Sequence, residues 1–208
     1  MPRFFTFEGI EGSGKSTHAR LLAAQLRQTG CDVLETREPG GTPLGEPLRR
    51  LLLDVESGSV APLAELLLYC ADRAQHVAQV IRPALEAGRP VICDRFSDST
   101  IAYQGYGRGL DLATVRAVDG YARAGLAPDL TFVFDCPVEE GLARARRRSG
   151  GADRIEAAPL AFHRRVREGF RALAAASPER YALLDSRGSL EEVQRAVQSA
   201  ALARMGRP

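Results

Sequence analysis

The sequence predicts an α/β fold in which a parallel sheet of about five strands is covered by helices on both faces. Two observations predict it. Short runs with strand character, Phe4 to Phe7, Cys31 to Thr36, Pro90 to Asp94, Leu130 to Asp135 and Tyr181 to Asp185, alternate with longer stretches of helical spacing. Parallel strands joined by crossover helices require that alternation. The second observation follows the first run, where Gly9 to Ser16 fits G-x-x-x-x-G-K-[ST] at every fixed position. Such a stretch cradles phosphate. Its glycines let backbone N–H groups turn inward without a Cβ in the way, and the helix behind them adds partial positive charge. Lys15 reaches the outer phosphates and Ser16 offers its hydroxyl to Mg²⁺. Together these mark a three-layer fold of the P-loop NTPase kind.

At 208 residues the chain is expected to form one domain, 1–208, with a short lid at about 144–156. An apolar fraction of 45% with 26% charged residues describes a water-soluble globular protein. The net charge of +2 argues neither for nucleic acid nor for a membrane as partner, so any basic site must be local. No apolar run approaches the roughly 20 residues needed to cross a bilayer, and no charged-then-apolar leader precedes the first strand. A cytoplasmic location is expected. Cys31, Cys70, Cys93 and Cys136 are scattered in apolar contexts and read as reduced core thiols.

Taken in order, the phosphate loop leads into a helix from Lys15 to about Gln28, with Leu21, Leu22 and Leu26 at helical spacing and Gly30 as its stop. Cys31 to Thr36 is the second strand. Arg37 to Pro43 must be a loop, because Pro and paired Gly break both periods, and it lies at a strand's carboxyl end, where ligands bind in such sheets. A short helix over Leu44 to Leu53, a polar link from Asp54 to Ser59 and a long helical stretch from Pro62 to about Gly88 follow, with Pro83 kinking the last or starting a second helix. Pro90 to Asp94 is the third strand, ending on an acid. Arg95 to Thr100 leads into a short helix through Gln104, and Gly105 to Gly109 reads as a flexible turn. Leu112 to Arg123 is helical, Leu130 to Asp135 is the fourth strand, and Val138 to Arg148 is a helix that becomes densely basic. Ser149 to Ala152 breaks it. Helices from Pro159 to Ala176 and Leu190 to Arg204 flank the last strand, Tyr181 to Asp185.

A phosphate cradle alone serves a kinase, a GTPase-like switch or a mechanical ATPase equally well. A kinase for a small phosphorylated acceptor must hold two polyanions head to head, so it needs cations beyond Lys15 and a metal. Arg37, Arg49, Arg73 and Arg95 all fall near the sheet's carboxyl edge. Each alone reads as solvated charge; four of them beside Glu38, Tyr69, Asp94 and Gln104 describe a second pocket. The guanine-reading N-K-x-D motif of a GTP switch does not occur in the sequence. His18, His76 and His163 stand isolated on helices and read as structural.

Glu8 to Thr17, Arg37 to Thr42, Asp94 to Thr100 with Ala102 to Gly105, and Asp153 to Glu156 resemble the motifs of bacterial thymidylate kinases. The resemblance runs from about Phe4 to Arg204 and lies in the combination. It implies γ-phosphoryl transfer from ATP to dTMP with Mg²⁺, giving dTDP, by a homodimer of nucleoside-monophosphate-kinase type. Residue by residue, it implies that Gly12, Ser13, Gly14, Lys15, Ser16 and Thr17 bind the ATP phosphates and that Ser16 and Asp94 hold the metal. Arg73 and Arg95 would face the dTMP phosphate, and Glu11 would accept the sugar 3′-hydroxyl. Glu38 joins this pocket, Arg49, Thr100 and Gln104 would read thymine, and Tyr69 would stack on the base where the family commonly has Phe. Tyr103 would crowd C2′ and favour deoxyribose. The family divides by where its catalytic arginine lies. Here Ile10, Glu11, Gly12 and Ser13 hold no arginine, so the lid must supply it: Arg147, Arg148 and Arg154 are the candidates, bracketing a hinge at Ser149 to Ala152. The nearest rival is a kinase for another nucleoside monophosphate.

Overall fold

The computed structural model describes residues 3–149 and 152–206, the side chains of residues 148 and 149 excepted. Its strands are β1 (Phe4–Gly9), β2 (Leu34–Arg37), β3 (Val91–Asp94), β4 (Leu130–Asp135) and β5 (Tyr181–Asp185). All pair in parallel, in the order β2-β3-β1-β4-β5. The chain starts at the centre of the sheet, fills one side, then crosses to the other. The direction therefore reverses at β1, and the crevice beyond the carboxyl end of such a strand is where this architecture binds ligands. The helices are α1 (Lys15–Gln28), α2 (Gly45–Leu53), α3 (Pro62–His76), α4 (Arg82–Glu86), α5 (Ser97–Thr100), α6 (Leu112–Ala122), α7 (Val138–Ser149), α8 (Leu160–Ala176) and α9 (Leu190–Met205).

The side chains of β1 explain the layering. All six of its residues are buried, because the central strand is covered on both faces. Phe5 and Phe7 join Phe132 and Phe134 of β4 under α1 and α9, packed by Leu22, Leu26, Val193 and Val197. Phe4 points the other way, against Phe96, Val77 and Ile81. A second large core lies on that face, where Leu66 of α3, Val115 of α6 and Phe162, Val166 and Phe170 of α8 meet Tyr103. Each buried phenylalanine contributes roughly 1.5–3 kcal/mol, so these rings fix the distance between the layers. Thr6 and Thr131 hydrogen-bond each other across β1 and β4 at 2.8 Å, which satisfies two buried hydroxyls.

The elements match expectation with three informative differences. β2 starts later than Cys31, because Cys31 N donates back to Leu26 O and extends the turn closed by Gly30 at φ 86°. Pro83 starts a further helix, one of the two expected outcomes; the difference is the π turn at Val77–Ile81 just ahead, which widens the backbone where the N–H is missing. The segment from Gly105 is not a flexible turn. Ile101–Gly107 is a second π turn, and a Cβ at Gly107 would sit 2.7 Å from Phe162 and 2.8 Å from Val166. Gly107 allows close packing on α8, and Gly105 allows the approach of Leu112 of α6. The four cysteines are free thiols. Among the described residues no helix is long and apolar enough to cross a membrane.

Candidate active site

Gly9 to Ser16 wraps from β1 into α1 at the carboxyl edge. Gly14 occupies the helix N-cap at φ 95°, and no side chain caps the helix, which leaves its first-turn N–H groups for a ligand. Gly12, at φ 67°, lies so close to α7 that a Cβ would overlap the Gly141 carbonyl. A Cβ at Gly141 would in turn sit 2.6 Å from Glu11 O. The stem of the expected lid is thus docked on the phosphate loop through two glycines, 129 residues apart in the chain and marked by no local pattern.

Lys15 is the chain's only lysine among 28 Lys and Arg. Its ammonium donates to Ile10 O at 3.2 Å, and burial together with Arg95 pushes it down to about 8, while Asp94 and Glu11 pull it back. In front of it opens a cleft of about 860 Å³. Glu11, Lys15, Ser16, Glu38, Arg49, Tyr69, Arg73, Asp94, Arg95, Thr100, Tyr103 and Gln104 all line this cleft, so the structure brings together residues up to 93 positions apart. Asp94, the last residue of β3, has a buried Oδ1 with no hydrogen-bond partner among the described residues. A bare carboxylate oxygen and the Ser16 hydroxyl in the same wall suit a hard divalent cation that keeps water and phosphate oxygens as its other ligands. Among the described residues no group of three His, Cys, Asp or Glu could hold a metal ion by itself.

Arg95 is the hub of the cleft. Its backbone is left-handed at φ 69°, unusual for a side chain with a Cβ. The guanidinium donates to Gly9 O and Ser99 Oγ at 3.0 Å, to Tyr103 OH at 3.0 Å and to Glu11 Oε1 at 3.1 Å. Tyr103 OH also donates to Glu11 Oε1. Burial alone would raise Glu11, but His163, Arg95, Lys15 and Tyr103 outweigh it and hold its carboxyl at about 2. Glu11 therefore presents an ionised acceptor.

The deep end is built differently. Arg73 Nε donates to Glu38 at 2.9 Å, and its NH1 donates to Thr100 at 2.7 Å and Asp119 at 2.8 Å. Only 2% exposed and balanced by two carboxylates, Arg73 is poorly placed to receive a phosphate and well placed to hold Thr100. Arg49 instead feels Arg37, Arg95 and Asp94, and its NH1 donates to Pro39 O at 2.9 Å. Arg49 and Arg73 thus line the same cleft in different surroundings, Arg73 locked between two carboxylates and Arg49 held by a carbonyl oxygen. Gln104 Nε2 donates to Glu65 at 2.8 Å, which fixes the orientation of its amide. Tyr69 lines the same cleft, and burial pushes its phenol well above the usual tyrosine range.

On the lid side, Arg147 is exposed and unpartnered among the described residues, whereas the side chain of Arg148 and the hinge glycines at 150 and 151 lie outside them. Arg154 departs from the expectation of a free lid cation. Its Nε donates to Leu52 O at 2.8 Å and its NH1 pairs with Glu65 at 2.6 Å, so it straps the segment to α2 and α3. Sequence reading missed Ser99 in the cleft wall, Asp119 behind Arg73, and His163, whose Nδ1 lies 3.2 Å from Glu11 Oε2. His163 is 152 residues from Glu11, and no local pattern marks such a pairing.

A phosphate loop at the reversal point of a parallel sheet, faced by a cleft with its own cations and a lid stem, defines a P-loop phosphotransferase acting on a small phosphorylated acceptor. The profile of the family described as thymidylate kinase matches residues 7–197. The thymidylate kinase of Geotalea uraniireducens (strain Rf4) is 49% identical over 207 residues, covering 97% of each chain. That of Desulfovibrio desulfuricans (strain ATCC 27774 / DSM 6949 / MB) is 54% identical over 213 residues, covering 98% of each. Among solved structures, thymidylate kinase from Ehrlichia chaffeensis superimposes with a TM-score of 0.78 at 36% identity, covering 96% of this chain and 98% of that one. The chain belongs to the thymidylate kinase family. Its reaction is the phosphorylation of dTMP by ATP, and the family works with a divalent metal.

Proposed function

We propose that the γ-phosphoryl of ATP passes directly to a dTMP phosphate oxygen, the two nucleotides lying head to head in the cleft. Gly12 to Thr17 hold the ATP phosphates with backbone N–H groups and the Lys15 ammonium. Ser16 and Asp94 would hold Mg²⁺, which supplies neutralisation of the β- and γ-phosphate oxygens. Arg95 and Arg49 face the acceptor phosphate, and Glu11 accepts the sugar 3′-hydroxyl. Tyr103 stands between Glu11 and the sugar. Its ring is braced by the Arg95 guanidinium, 5.0 Å from the ring centre. At the base end Tyr69 stacks on thymine. Gln104, its amide nitrogen committed to Glu65, turns its carbonyl oxygen to the thymine N3–H. Arg73, held by Glu38, and Thr100 read the neighbouring edge. Arg147 and Arg148 reach the transferring phosphoryl when the lid at about 144–156 closes, which also excludes water. No general base is required, because the acceptor oxygen is already ionised near neutral pH.

The observation that carries this reading is that Lys15 and Arg95 line one cleft with the unpartnered Asp94 oxygen. We read the chain as one kinase domain acting in the cytoplasm as a homodimer, paired through the exposed Leu63 and Leu67 of α3. An ADP-release assay across dTMP, dUMP, UMP, CMP, AMP and GMP, with and without Mg²⁺, tests the site. dTMP should give the highest kcat/KM and turnover should vanish without the metal; a preference for CMP would overturn the base end.

A further inference from the structure

Glu8, in β1 just before the phosphate loop, lies outside the cleft walls and is fully buried. Its carboxyl collects three donors from the segment after β3. Oε1 accepts from Phe96 N at 2.8 Å and Ser99 N at 3.3 Å, and Oε2 accepts from Ser99 Oγ at 2.6 Å. Because the Ser99 hydroxyl is spent on Glu8, its lone pairs are turned toward Arg95, whose NH1 donates to it at 3.0 Å. Arg95 also carries the left-handed backbone at φ 69°, a strained conformation that persists only where the surroundings impose it. The next residue's N–H is the one Glu8 takes, and Arg95 N itself donates to Phe7 O at 3.0 Å. One buried acid thus holds both ends of the hub residue, the backbone through Phe96 and the guanidinium through Ser99.

We propose that Glu8 is the positioning residue for Arg95: it fixes the turn and the side-chain direction that present this guanidinium to the acceptor's phosphate. The inference rests on Arg95 facing that phosphate. Once ionised, the carboxyl offers two acceptor oxygens to three donors, whereas an amide of the same shape offers one oxygen and confronts the remaining donor with an N–H. Loss of Glu8 should therefore act on the phosphate of the acceptor and not on its base or sugar.

The test compares binding of dTMP with binding of thymidine, which lacks the phosphate, by calorimetry on the full chain. At about pH 9, above the value of about 8 to which burial pushes the Glu8 carboxyl, Glu8→Gln should weaken dTMP by about tenfold and leave thymidine within about twofold, as loss of a charge-assisted contact implies. Ser99→Ala, which removes only the bridge, should show a smaller loss of the same kind and keeps the test open if Glu8→Gln fails to fold. In an Arg95→Ala background the Glu8→Gln effect on dTMP should disappear. Equal weakening of both ligands, no weakening of dTMP, or an effect that survives in Arg95→Ala would each overturn the proposal. If Arg95→Ala alone leaves the preference for dTMP over thymidine unchanged, it is the reading of Arg95 as phosphate ligand that falls.

Discussion

The two ends of the cleft are built on opposite plans. At the acceptor end nearly every charge is already matched: Arg73 by Glu38 and Asp119, Arg95 by Glu11, and Glu65 by Gln104, Arg108 and Arg154. On the donor side Lys15 has only a carbonyl oxygen, one Asp94 oxygen is bare, and Arg147 stands in solvent. Matched charges cannot reorganise cheaply, so the acceptor end is a rigid template that a nucleotide enters without rearranging it. Unmatched cations gain most when a polyanion arrives. Under the proposed roles, the difference teaches that the acceptor's pocket is built in, while the catalytic charge is assembled on binding.

If that contrast is right, single substitutions at the two ends should fail in different ways. The largest effect is expected for Arg73→Ala, which strands the buried Glu38 and Asp119 carboxylates. It should destabilise the fold by about 3–5 kcal/mol, and calorimetry should find Tm roughly 10 °C lower. A Tm within a degree or two of the parent would show that these carboxylates are solvated and the template is not rigid. Next comes Arg147→Ala with Arg148→Ala, which should cost roughly 10² in kcat with KM for dTMP and Tm little changed. An unaltered kcat would remove the lid from the mechanism. Smaller again is Tyr103→Phe, which deletes the hydroxyl shared by Glu11 and Arg95 but keeps the ring. KM for dTMP should rise by about tenfold with kcat nearly intact, and a fall confined to kcat would contradict a ground-state binding role.

The same contrast explains what was legible in the sequence. The phosphate loop could be read because its chemistry is local: Gly12, Gly14, Lys15 and Ser16 act within a single turn. The alternation of strands and helices was equally plain, since each run buries its own apolar face. Positions along the cleft were harder. Arg49 and Arg73 are both arginines on helices near the same edge, and only the packing of α3 against α6 brings Asp119 to Arg73 and locks its guanidinium. His163 and Glu8 were invisible for a related reason. Their partners, Glu11 for one and Phe96 and Ser99 for the other, come from distant strands and helices. Gly105 and Gly107 misled because composition cannot tell a glycine that bends from one that lets a neighbouring helix approach.

Glu8 and Glu11 bring the comparison down to two residues, three positions apart on one strand and loop, and supply the smallest expected effect. Burial and Asp98 push the Glu8 carboxyl up to about 8 against the pull of Arg95, whereas Glu11 is held at about 2. The signs follow from proton counts. Between the usual glutamate value of 4.5 and about 8, folded Glu8 binds more protons than unfolded Glu8, so its share of stability falls as pH rises through that window. Glu11 behaves oppositely: it binds fewer protons when folded, so its contribution is complete above about 4.5 and is lost as pH falls toward about 2. Thermal unfolding of the parent chain should thus show Tm falling by a few degrees from about pH 5.5 to 8.5, because the Arg95 charge and the Phe96 and Ser99 donors offset part of the burial. In Glu8→Gln that fall should shrink while the acid limb below pH 4.5, governed in part by Glu11, stays in place. A Tm profile with the same slope in both proteins would mean that Glu8 is ionised throughout, and that the rigid half of the cleft extends into β1.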